Sequence, residues 1–584
     1  MTRNEFSLLC AIRKQGLQSI RKLKALTALS TGYLSQTLKD FAERGLTDAE
    51  GITEKGLRAL QPYRVENAVI MAAGLSSRFV PLSLEKPKGL LVVRNEVLIE
   101  RQIEQLLAAG IREIVLVLGY KKEAFFYLED KYPGIRIIIN PEYATKNNIH
   151  TLYLARDYIR NTYICSSDDY FEENPFEEYV YQSYYSAVRV EQKTNEWYMI
   201  PDSRMNIARV QKHGEKGLIM MGHVYWDRHF SEAMLKLIVE DHETGKYEQA
   251  LWEDLLMDYV RKLPPMEIRE YPRDMIHEFD SLEELREFDL YYVHDTHSRI
   301  MKNITKTLSC REDDIAGFST LKKGITNTSF LFEVREKKYV YRHPNDDAMI
   351  RVDRSREKRS LELARSIGAD PTLVYMDETA GWKISAYLES ARHPSPSSPE
   401  DTRRVAALLR KLHDRNLSVR WSFFPWEEAH RMEILLRSEK EGISDPGFDA
   451  LRDRVARCLK SCEGDGISLC FCHCDAGADN WLLTEGGTAL IDWEYAGLAD
   501  PGCDLGTYIL HAGWDVPRAE DFIRAYCGGD LTPERMRHFL AYTAVMAWYW
   551  YVWGLSREAG GLILGEGLYR WRTTAGKFSS CLLG

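Results

Sequence analysis

From Asn67 onwards, short apolar runs alternate with amphipathic helical segments. The apolar run at 68–73, Ala-Val-Ile-Met-Ala-Ala, is followed by a helical pattern at 98–109 and by apolar runs at 113–118 and 135–139. Parallel strands need a crossover segment between them, so this alternation predicts a doubly wound parallel sheet. The middle of the chain is therefore expected to be a Rossmann-like α/β domain.

The length of 584 residues is too great for one hydrophobic core. Changes of pattern divide the chain into residues 1–62, 63–297 and 298–584. The last piece opens with β-rich sequence and becomes helical after Asp401, with a Pro/Ser-rich loop at 393–399 between two expected lobes. We therefore expect a multidomain protein of α/β and α+β class.

Composition favours a cytoplasmic protein. Net charge is −10, which argues against nucleic-acid or membrane-surface binding by the whole chain. Eleven cysteines are an odd number and do not suggest a disulfide framework. The N-terminus lacks the apolar core of a signal peptide, and the apolar stretch at 541–555 is shorter than a membrane-spanning helix. We expect no membrane insertion, and nothing here predicts an oligomeric state.

Residues 1–62 show three short amphipathic helical patterns and carry ten Lys/Arg against six Asp/Glu. The pattern resembles a winged helix-turn-helix, with 46–60 as the wing region. This resemblance implies DNA binding through Ser35, Gln36 and Lys39 in a major groove. The alternative is a helical module used for packing, dimerisation or regulation.

A glycine-containing loop follows the first strand of the middle piece. The residues Ala72-Ala73-Gly74-Leu75-Ser76-Ser77-Arg78-Phe79 are followed by Lys86-Pro87-Lys88. Ala73, Gly74 and Ser76 are small enough for backbone N–H groups to approach a triphosphate, and Arg78 and Lys88 supply positive charge. The combination resembles the sugar-nucleotide and choline nucleotidyltransferase family.

Two acidic runs offer ligands for Mg²⁺ in this domain. A strand-like run ends at Asp168, and the later run His277-Glu278-Phe279-Asp280 supplies Asp280. The alternative for Asp280 is an exposed acidic loop. In a cytidylyl transfer the attacking phosphate is already an anion, so alignment and charge neutralisation suffice without a protein base.

Residues 66–295 resemble bacterial CTP:phosphocholine cytidylyltransferases, in which an Asn-Glu-Trp segment lies between the two metal acids. Here that segment ends at Trp197, and Trp252 and Glu253 lie further on. A quaternary ammonium is recognised by aromatic faces and carboxylates, so the resemblance implies that these three residues contact phosphocholine. Core packing of the tryptophans is the alternative, and related enzymes act on aminoalkyl phosphonates.

The last piece contains a phosphoryl-transfer pattern. The run His473-Cys474-Asp475-Ala476-Gly477-Ala478-Asp479-Asn480 fits H-x-D-x-x-x-x-N, and Asp492 follows an apolar strand. A choline hydroxyl is a poor nucleophile, which makes Asp475 the expected base, with Asn480 and Asp492 on Mg²⁺.

This piece resembles the choline/ethanolamine kinase family, a branch of the protein-kinase-like two-lobed fold. The resemblance implies that the turn Gly324–Asn327 covers ATP, with Asn327 in contact with the nucleotide. It also implies that Arg342 binds phosphate, with Glu357 as its ion-pair partner, and that Asp504 steadies the catalytic loop.

The choline site of the kinase is expected to be aromatic. Trp550 and Trp553 lie three residues apart and so share a helix face, and Tyr495 can close the box. A buried aromatic helix is the alternative. Ethanolamine would need hydrogen-bond acceptors instead, so the aromatic residues favour choline.

Cys470, Cys472, His473 and Cys474 are soft metal ligands. Alternation along a strand is expected to point the thiols to opposite faces, and no paired C-x-x-C lies elsewhere. The sequence interpretation is a buried strand of small apolar thiols.

The two enzymatic patterns fit consecutive reactions, since the kinase product is the transferase substrate. Choline, ATP, phosphocholine and CTP are the expected ligands, with CDP-choline as product. Alternatives are the same reactions on ethanolamine or an aminoalkyl phosphonate. A DNA-binding regulator that senses choline metabolites would require disabled catalytic acids, yet Asp168, Asp475 and Asp492 are present.

Overall fold

The computed structural model describes residues 1–323, 327–345, 353–415, 417–439 and 442–583. The chain forms two compact units, Met1–Asp313 and Asp314–Gly584. The helix Arg299–Leu308 packs with the first unit, where the Arg299 N–H donates to Glu85 at 2.9 Å. The boundary between the two units therefore lies 16 residues after residue 297, where the change of sequence pattern predicted it.

The N-terminal module consists of three helices, a very short hairpin and a fourth helix. These elements are α1 (Arg3–Gln15), α2 (Ile20–Thr27), α3 (Thr31–Glu43), β1 (Thr47–Asp48), β2 (Gly51–Ile52) and α4 (Glu54–Leu60). Thr2 caps α1 in a capping box with Glu5. Ser35, Gln36 and Lys39 are exposed on α3.

This module is fixed to the rest of the first unit by aromatic and ionic contacts. The rings of Tyr63 and Tyr181 stack at 5.5 Å, with Phe6 against both. Arg13 forms an ion pair with Glu178 at 2.7 Å. The three-helix module is thus part of the same compact unit as the α/β domain.

The α/β domain contains nine helices and thirteen strands among the described residues. The helices are α5 (Leu82–Glu85), α6 (Leu98–Ala108), α7 (Tyr127–Lys131), α8 (Asn148–Leu154), α9 (Arg228–Thr244), α10 (Trp252–Tyr259), α11 (Leu282–Phe288), α12 (Tyr291–His294) and α13 (Arg299–Leu308). The strands are β3 (Asn67–Ala72), β4 (Val92–Val93), β5 (Glu96–Val97), β6 (Glu113–Leu118), β7 (Ile135–Ile139), β8 (Thr162–Ser166), β9 (Asp169–Phe171), β10 (Tyr184–Val190), β11 (Thr194–Pro201), β12 (Ile207–Gly214), β13 (Gly217–Trp226), β14 (Glu267–Tyr271) and β15 (Ile276–Glu278).

The central sheet has nine strands. Its main path is β12-β11-β13-β8-β3-β6-β7, and β10 pairs with both β13 and β14. Strands β8, β3, β6 and β7 are mutually parallel, as the sequence predicts, but β13 pairs with β8 in the antiparallel direction. The sheet is therefore mixed, because β11, β12 and β13 follow one another through short turns that leave no room for crossover helices.

Strand β3 occupies the middle of the parallel part, between β6 and β8. Five of its six residues are buried, which explains its nearly continuous apolar sequence. In an open sheet of this kind, ligands bind beyond the carboxyl ends of the strands. The loop after Ala72 lies at that edge.

The second unit opens with a five-stranded antiparallel sheet of order β16-β17-β18-β20-β19 and continues, within the described residues, with helices and the two-stranded sheets β21-β24 and β22-β23. Its strands are β16 (Ile315–Lys323), β17 (Asn327–Val334), β18 (Lys337–Pro344), β19 (Leu373–Met376), β20 (Lys383–Ala386), β21 (Cys470–Cys472), β22 (Trp481–Thr484), β23 (Gly487–Leu490) and β24 (Gly497–Ala499). Its helices are α14 (Arg354–Ser366), α15 (Pro399–His413), α16 (Pro425–Ser438), α17 (Phe448–Lys460), α18 (Gly502–Ala512), α19 (Val516–Cys527), α20 (Pro533–Ala559) and α21 (Glu566–Leu583).

The two lobes expected from the sequence are visible in this order of elements. The sheet and α14 precede residue 393, and α15, which starts at Pro399, begins the helical part. The helix α20 is buried along most of its length, from His538 to Gly554. Within the described ranges, no helix combines the length and apolarity that a bilayer crossing requires.

Candidate active sites

The first unit contains a cleft of about 580 Å³ at the carboxyl end of β3. The site residues predicted from the sequence that line it are Ala73, Gly74, Ser76, Arg78, Lys88, Asp168 and Asp280. The glycine loop and the two acidic runs therefore meet in one cavity, although Asp168 and Asp280 lie far apart in the chain.

The loop after β3 is held by close backbone contacts. The Tyr120 N–H donates to the Ala73 carbonyl at 3.1 Å, and Ser76 adopts a left-handed φ of 49°. A Cβ on Gly119 would lie 2.7 Å from the Ala73 oxygen, which only glycine avoids. Glycine after β6 thus lets the loop after β3 pack closely against it.

Lys88 and Arg78 are paired with the two predicted metal acids. Nζ of Lys88 lies 2.6 Å from Asp168 Oδ2 and 3.7 Å from Asp280 Oδ1, and Arg78 lies 2.8 Å from Asp280 Oδ2. Burial opposes the charge of Lys88, but Asp168 and Glu278 outweigh it, so the pKa of Lys88 is raised. Lys88 is a permanent cation, and Arg78 is 78% exposed.

The acids meet because β9 pairs antiparallel with β15, which places Asp169 opposite Glu278. Sequence reasoning missed both of these residues, although each stands beside a chosen acid. Burial, then Asp168, raises the pKa of Glu278 to about 8, and burial raises that of Asp169 well above its usual range. Neither Asp169 oxygen has a hydrogen-bond partner among the described residues. This all-oxygen set fits a hard divalent cation.

The two tryptophans predicted to contact phosphocholine depart from expectation. Trp252 is 1% exposed and lies in the core, stacked on Tyr185 and edge-on to Trp226. Trp197 lies on β11 with the Lys212 ammonium 4.5 Å from its ring centre. Neither residue lines the described cleft. Strand alternation explains the position of Trp197, because successive side chains of β11 point to opposite faces of the sheet. The neighbouring Glu196 is the residue near Asp280, and burial, followed by the charge of Asp280, raises the pKa of Glu196.

Glu253 remains near the cleft. Its carboxylate accepts from the Tyr185 hydroxyl at 3.2 Å and from the Asn148 side chain at 3.4 Å, and Asn148 lines the cavity. Burial raises the pKa of Glu253 to about 7. The sequence offered no signal for Tyr185, which comes from a strand 68 residues earlier.

In the second unit, the predicted catalytic loop is closely constrained. The Asn480 side chain donates to the backbone carbonyl of Asp475 at 2.8 Å and to its carboxylate at 3.1 Å. Asp504 accepts from the backbone N–H groups of His473 at 2.9 Å and Cys474 at 2.6 Å. Burial, followed by Asp492, raises the pKa of Asp475 well above its usual range. The predicted base and metal ligands therefore share one acidic cluster.

A buried ionic network faces this loop. Arg342 lies 2.6 Å from Glu357 and 3.2 Å from Asp492, which adopts a left-handed φ of 69°. Two further cations join it without having been predicted. Arg354 pairs with Glu357 at 2.7 Å, and Lys383 is the register partner of Arg342 on β20.

The nucleotide-covering turn is only partly described. Residues 324–326 of the Gly324–Asn327 prediction lie outside the described residues. Asn327 begins β17, and its side-chain carbonyl accepts from Arg354 at 3.3 Å. This contact connects the first residue after the turn to the buried ionic network.

The predicted aromatic residues lie together. The rings of Trp550 and Trp553 are 5.4 Å apart and nearly perpendicular, and Tyr495 lies 5.9 Å from Trp550. Trp571 of α21 adds a fourth ring at 6.1–6.2 Å, which the sequence interpretation missed. Burial, then Glu494 and Asp475, raises the pKa of Tyr495, which places the cluster beside the catalytic acids.

The interpretation of the cysteine run needs correction. Cys470 and Cys472 are two residues apart on β21, so their side chains share a face, and their Sγ atoms lie 3.5 Å apart. They do not point to opposite faces, as the sequence argument assumed. Cys472 and Cys474 are buried, and Cys470 is half-buried.

Comparison with known proteins finds family models that match two parts of the chain. Residues 67–196 match the nucleotidyl transferase family model, and residues 317–539 match the phosphotransferase enzyme family model. The second unit is also similar to the crystal structure of choline kinase LicA from Streptococcus pneumoniae, with 25% identity, a TM-score of 0.42, and coverage of 49% of this chain and 100% of that one.

Two curated relatives match the first region. The choline-phosphate cytidylyltransferase of Streptococcus pneumoniae is 32% identical over 38% of this chain and 96% of its own length. The 2-aminoethylphosphonate cytidylyltransferase of Lancefieldella rimae is 33% identical over 39% of this chain and 94% of its own length. Identity above 30% across nearly the whole of both relatives places this chain in the cytidylyltransferase family to which choline-phosphate cytidylyltransferases belong.

Proposed function

We propose that this chain makes CDP-choline in two steps: it phosphorylates choline with ATP and then transfers CMP from CTP to the phosphocholine. The observation that carries the proposal is the pair of acidic sites. One stands in a nucleotidyl transferase cleft, and the other stands beside an aromatic cluster in a phosphotransferase domain.

For cytidylyl transfer, the loop at Ala73, Gly74 and Ser76 binds the CTP phosphates, and Arg78 and Lys88 neutralise the charge that develops on them. Asp168 and Asp280 would hold Mg²⁺, supported by the buried carboxyls of Asp169 and Glu278. A metal ion bound there would supply further charge neutralisation at the phosphates. The phosphate of phosphocholine is the nucleophile and needs no protein base.

For choline phosphorylation, Asp475 accepts the hydroxyl proton, and Asn480 and Asp492 would hold Mg²⁺. Arg342, oriented by Glu357, binds the ATP phosphates near Asn327. Asp504 keeps the loop in place through its two backbone hydrogen bonds. Because the Asn480 amide fixes the Asp475 carboxylate, the base is oriented before choline arrives.

Choline is recognised differently in the two units. In the kinase, Trp550, Trp553 and Tyr495, joined by Trp571, surround the trimethylammonium group. In the transferase, we propose that Glu253 supplies the charge, oriented by Tyr185 and Asn148. The core position of Trp252 removes it from this role.

For the N-terminal module we propose a winged-helix fold with DNA as its ligand. The three helices, the hairpin and the exposed Ser35, Gln36 and Lys39 on α3 support this. Binding of the full chain to duplex DNA should weaken when Lys39 is replaced by alanine. The slope of log affinity against log salt concentration should decrease by about one, as expected for the loss of one phosphate contact. An unchanged affinity would favour a packing or regulatory module.

The two-step function is tested by incubating the protein with choline, ATP, CTP and Mg²⁺ and identifying the products by mass. We expect CDP-choline, with phosphocholine alone when CTP is omitted. Parallel reactions with ethanolamine and with 2-aminoethylphosphonate compare kcat/KM for the alternative substrates. Ethanolamine competes with choline in the kinase step, and 2-aminoethylphosphonate, which has no alcohol hydroxyl, competes with phosphocholine in the transferase step alone. A higher kcat/KM for ethanolamine would overturn the assignment to choline, and a higher value for the phosphonate would overturn the coupling of the two steps.

A further inference from the structure

A thiol–imidazole cluster lies behind the phosphoryl-transfer loop and takes no part in the proposed chemistry. Its members are Cys470, Cys472 and His413, and their ligand atoms all lie within 4.8 Å of one another. Cys470 and Cys472 end β21 immediately before the loop that carries Asp475. His413 is the last residue of α15.

The spacing of the two sulfurs matches a tetrahedral metal site. Zn–S bonds of about 2.3 Å at tetrahedral angles separate two sulfur ligands by about 3.8 Å. The observed Sγ–Sγ separation is 3.5 Å. A small outward movement of either side chain would admit the ion. The two thiols are hydrogen-bonded, and this contact lowers the pKa of Cys470, whereas burial and then the same contact raise the pKa of Cys472 well above its usual range. Metal binding therefore has to displace the Cys472 proton, while Cys470 favours the thiolate.

His413 already has the outer partner that metal-bound histidines use. Its Nε2 lies 3.0 Å from Asp504 Oδ2, and its Nδ1 lies 2.8 Å from the Tyr526 hydroxyl. A carboxylate on one ring nitrogen orients the imidazole and raises its basicity toward a metal on the other. The nitrogen open to a metal is therefore Nδ1, with the Tyr526 hydroxyl as its present occupant.

We propose that Cys470, Cys472 and Nδ1 of His413 form a binding site for Zn²⁺ or a similarly soft divalent cation. Binding releases one proton from each thiol and any proton on Nδ1 of His413, whose pKa is raised by the contact with Asp504, and displaces the Tyr526 hydroxyl from the imidazole. The ion enters past half-buried Cys470, next to exposed Leu469, and water occupies the fourth position.

A second group of soft ligands differs in the partners of its histidine. Cys462, Asp465 and His538 also lie within 4.8 Å of one another. A hydrogen bond to a carboxylate outweighs burial and raises the pKa of both histidines, that of His538 to about 10. His538 has a second carboxylate, Asp465, 3.3 Å from its other ring nitrogen, where His413 has only a hydroxyl, so this second group is an ion-pair network.

The proposed site lies where a bound ion would stabilise the loop that carries Asp475. A bound ion would tie β21 to the end of α15. Asp504 holds both His413 and the backbone of the loop at His473 and Cys474. Metal binding should therefore stabilise the segment that presents Asp475.

The experiment is a Zn²⁺ titration of the metal-free full-length protein against a chromophoric chelator, with Co²⁺ as a spectroscopic substitute. We expect one tight equivalent and, with Co²⁺, the charge-transfer absorption of thiolate ligands. Cys470→Ser and Cys472→Ser should each lose that equivalent, and Cys581→Ser, at an exposed cysteine in α21, should keep it. Zn²⁺ should raise the thermal unfolding midpoint of the wild type but not of Cys470→Ser.

The variant Tyr526→Phe distinguishes metal coordination by His413 from a purely structural role of the cluster. Removing the competing hydroxyl should leave Zn²⁺ affinity equal or higher, whereas a purely structural cluster would show no metal dependence in any variant. The cooperative thermal unfolding transition of the second unit, recorded on each metal-free preparation, reports whether the serine variants fold. Retention of the tight equivalent in Cys470→Ser, or its absence from the wild type, would overturn the proposal, whichever amine the enzyme phosphorylates.

Discussion

Nζ of Lys88 lies 2.6 Å from Oδ2 of Asp168, and this buried ion pair sets the charge of the nucleotide cleft. The lysine is 7% exposed and faces three carboxyl groups, so its removal leaves buried negative charge uncompensated. The same cation is available to the phosphates of an entering nucleotide. The Lys88–Asp168 pair therefore both stabilises the cleft and holds a cation in position for the phosphates of a nucleotide.

Lys88→Ala should lower the rate of cytidylyl transfer by about 10²- to 10³-fold, because a cation at the reacting phosphate is lost. Choline phosphorylation should be unchanged. Both rates are measured on one preparation, with the exposed Lys86→Ala as the matched control. Equal losses in the Lys86 and Lys88 variants would contradict the assignment.

Asp475→Asn should lower choline phosphorylation by about 10²- to 10⁴-fold, since the amide cannot accept the hydroxyl proton. CTP-dependent use of supplied phosphocholine should continue at the wild-type rate. Asp479→Asn changes an exposed carboxylate in the same loop and should keep both activities. Residual kinase activity equal to that of the Asp479 variant would show that Asp475 is not the base.

Trp550→Ala should reduce the preference for choline over ethanolamine. Loss of one cation–π contact of about 0.5–2 kcal/mol corresponds to a fall of about 2- to 30-fold in the ratio of kcat/KM values. Both substrates are assayed on the same sample, so a fraction of unfolded protein cancels from the ratio. Trp550→Phe keeps an aromatic face and should retain most of the preference.

Glu253→Gln should raise KM for phosphocholine about tenfold and leave KM for CTP nearly unchanged. The substitution preserves the shape of the side chain and one of the two acceptor oxygens that face Tyr185 and Asn148, while removing the charge. An equal rise in both KM values would indicate a general change in the cleft.

The His538–Asp500 pair should make stability depend on pH. The folded-state pKa of His538 is about 10, against an ordinary value of 6.5, so its stabilisation is complete below pH 6.5 and is lost as the pH rises towards 10. The urea midpoint of the second unit should fall across this window. The urea midpoint of His538→Gln should fall less over the same pH range. That of His430→Gln, at an exposed site, should fall as in the wild type.

Local patterns predicted the framework of the first unit well. The strands at 113–118 and 135–139 have the predicted bounds, because continuous apolar runs between helices admit one arrangement in a parallel sheet. The direction of β13 was not predictable in this way. It depends on pairing between strands distant in sequence, which no local pattern records.

The same distinction applies to the sites. Arg342 and Glu357 were paired through the resemblance to the choline/ethanolamine kinase family, and they lie 2.6 Å apart. Trp252 was assigned to a ligand because a tryptophan beside a carboxylate has the same local sequence whether it faces a cavity or a core. Its burial depends on Tyr185 and Trp226, which come from other strands. Trp571 was missed because α21 reaches the aromatic cluster only through tertiary packing.

The pairing of β9 with β15 has a consequence for synthesis of the chain. The glycine loop and Asp168 are translated more than 100 residues before Asp280, so the acidic centre of the cleft has no second half until the strand ending at Glu278 has left the ribosome. A nascent chain stopped before that strand would carry the glycine loop, Lys88 and Asp168 without the acids that complete the site. The domain can therefore become active in nucleotidyl transfer only after β15, its last strand, has been synthesised.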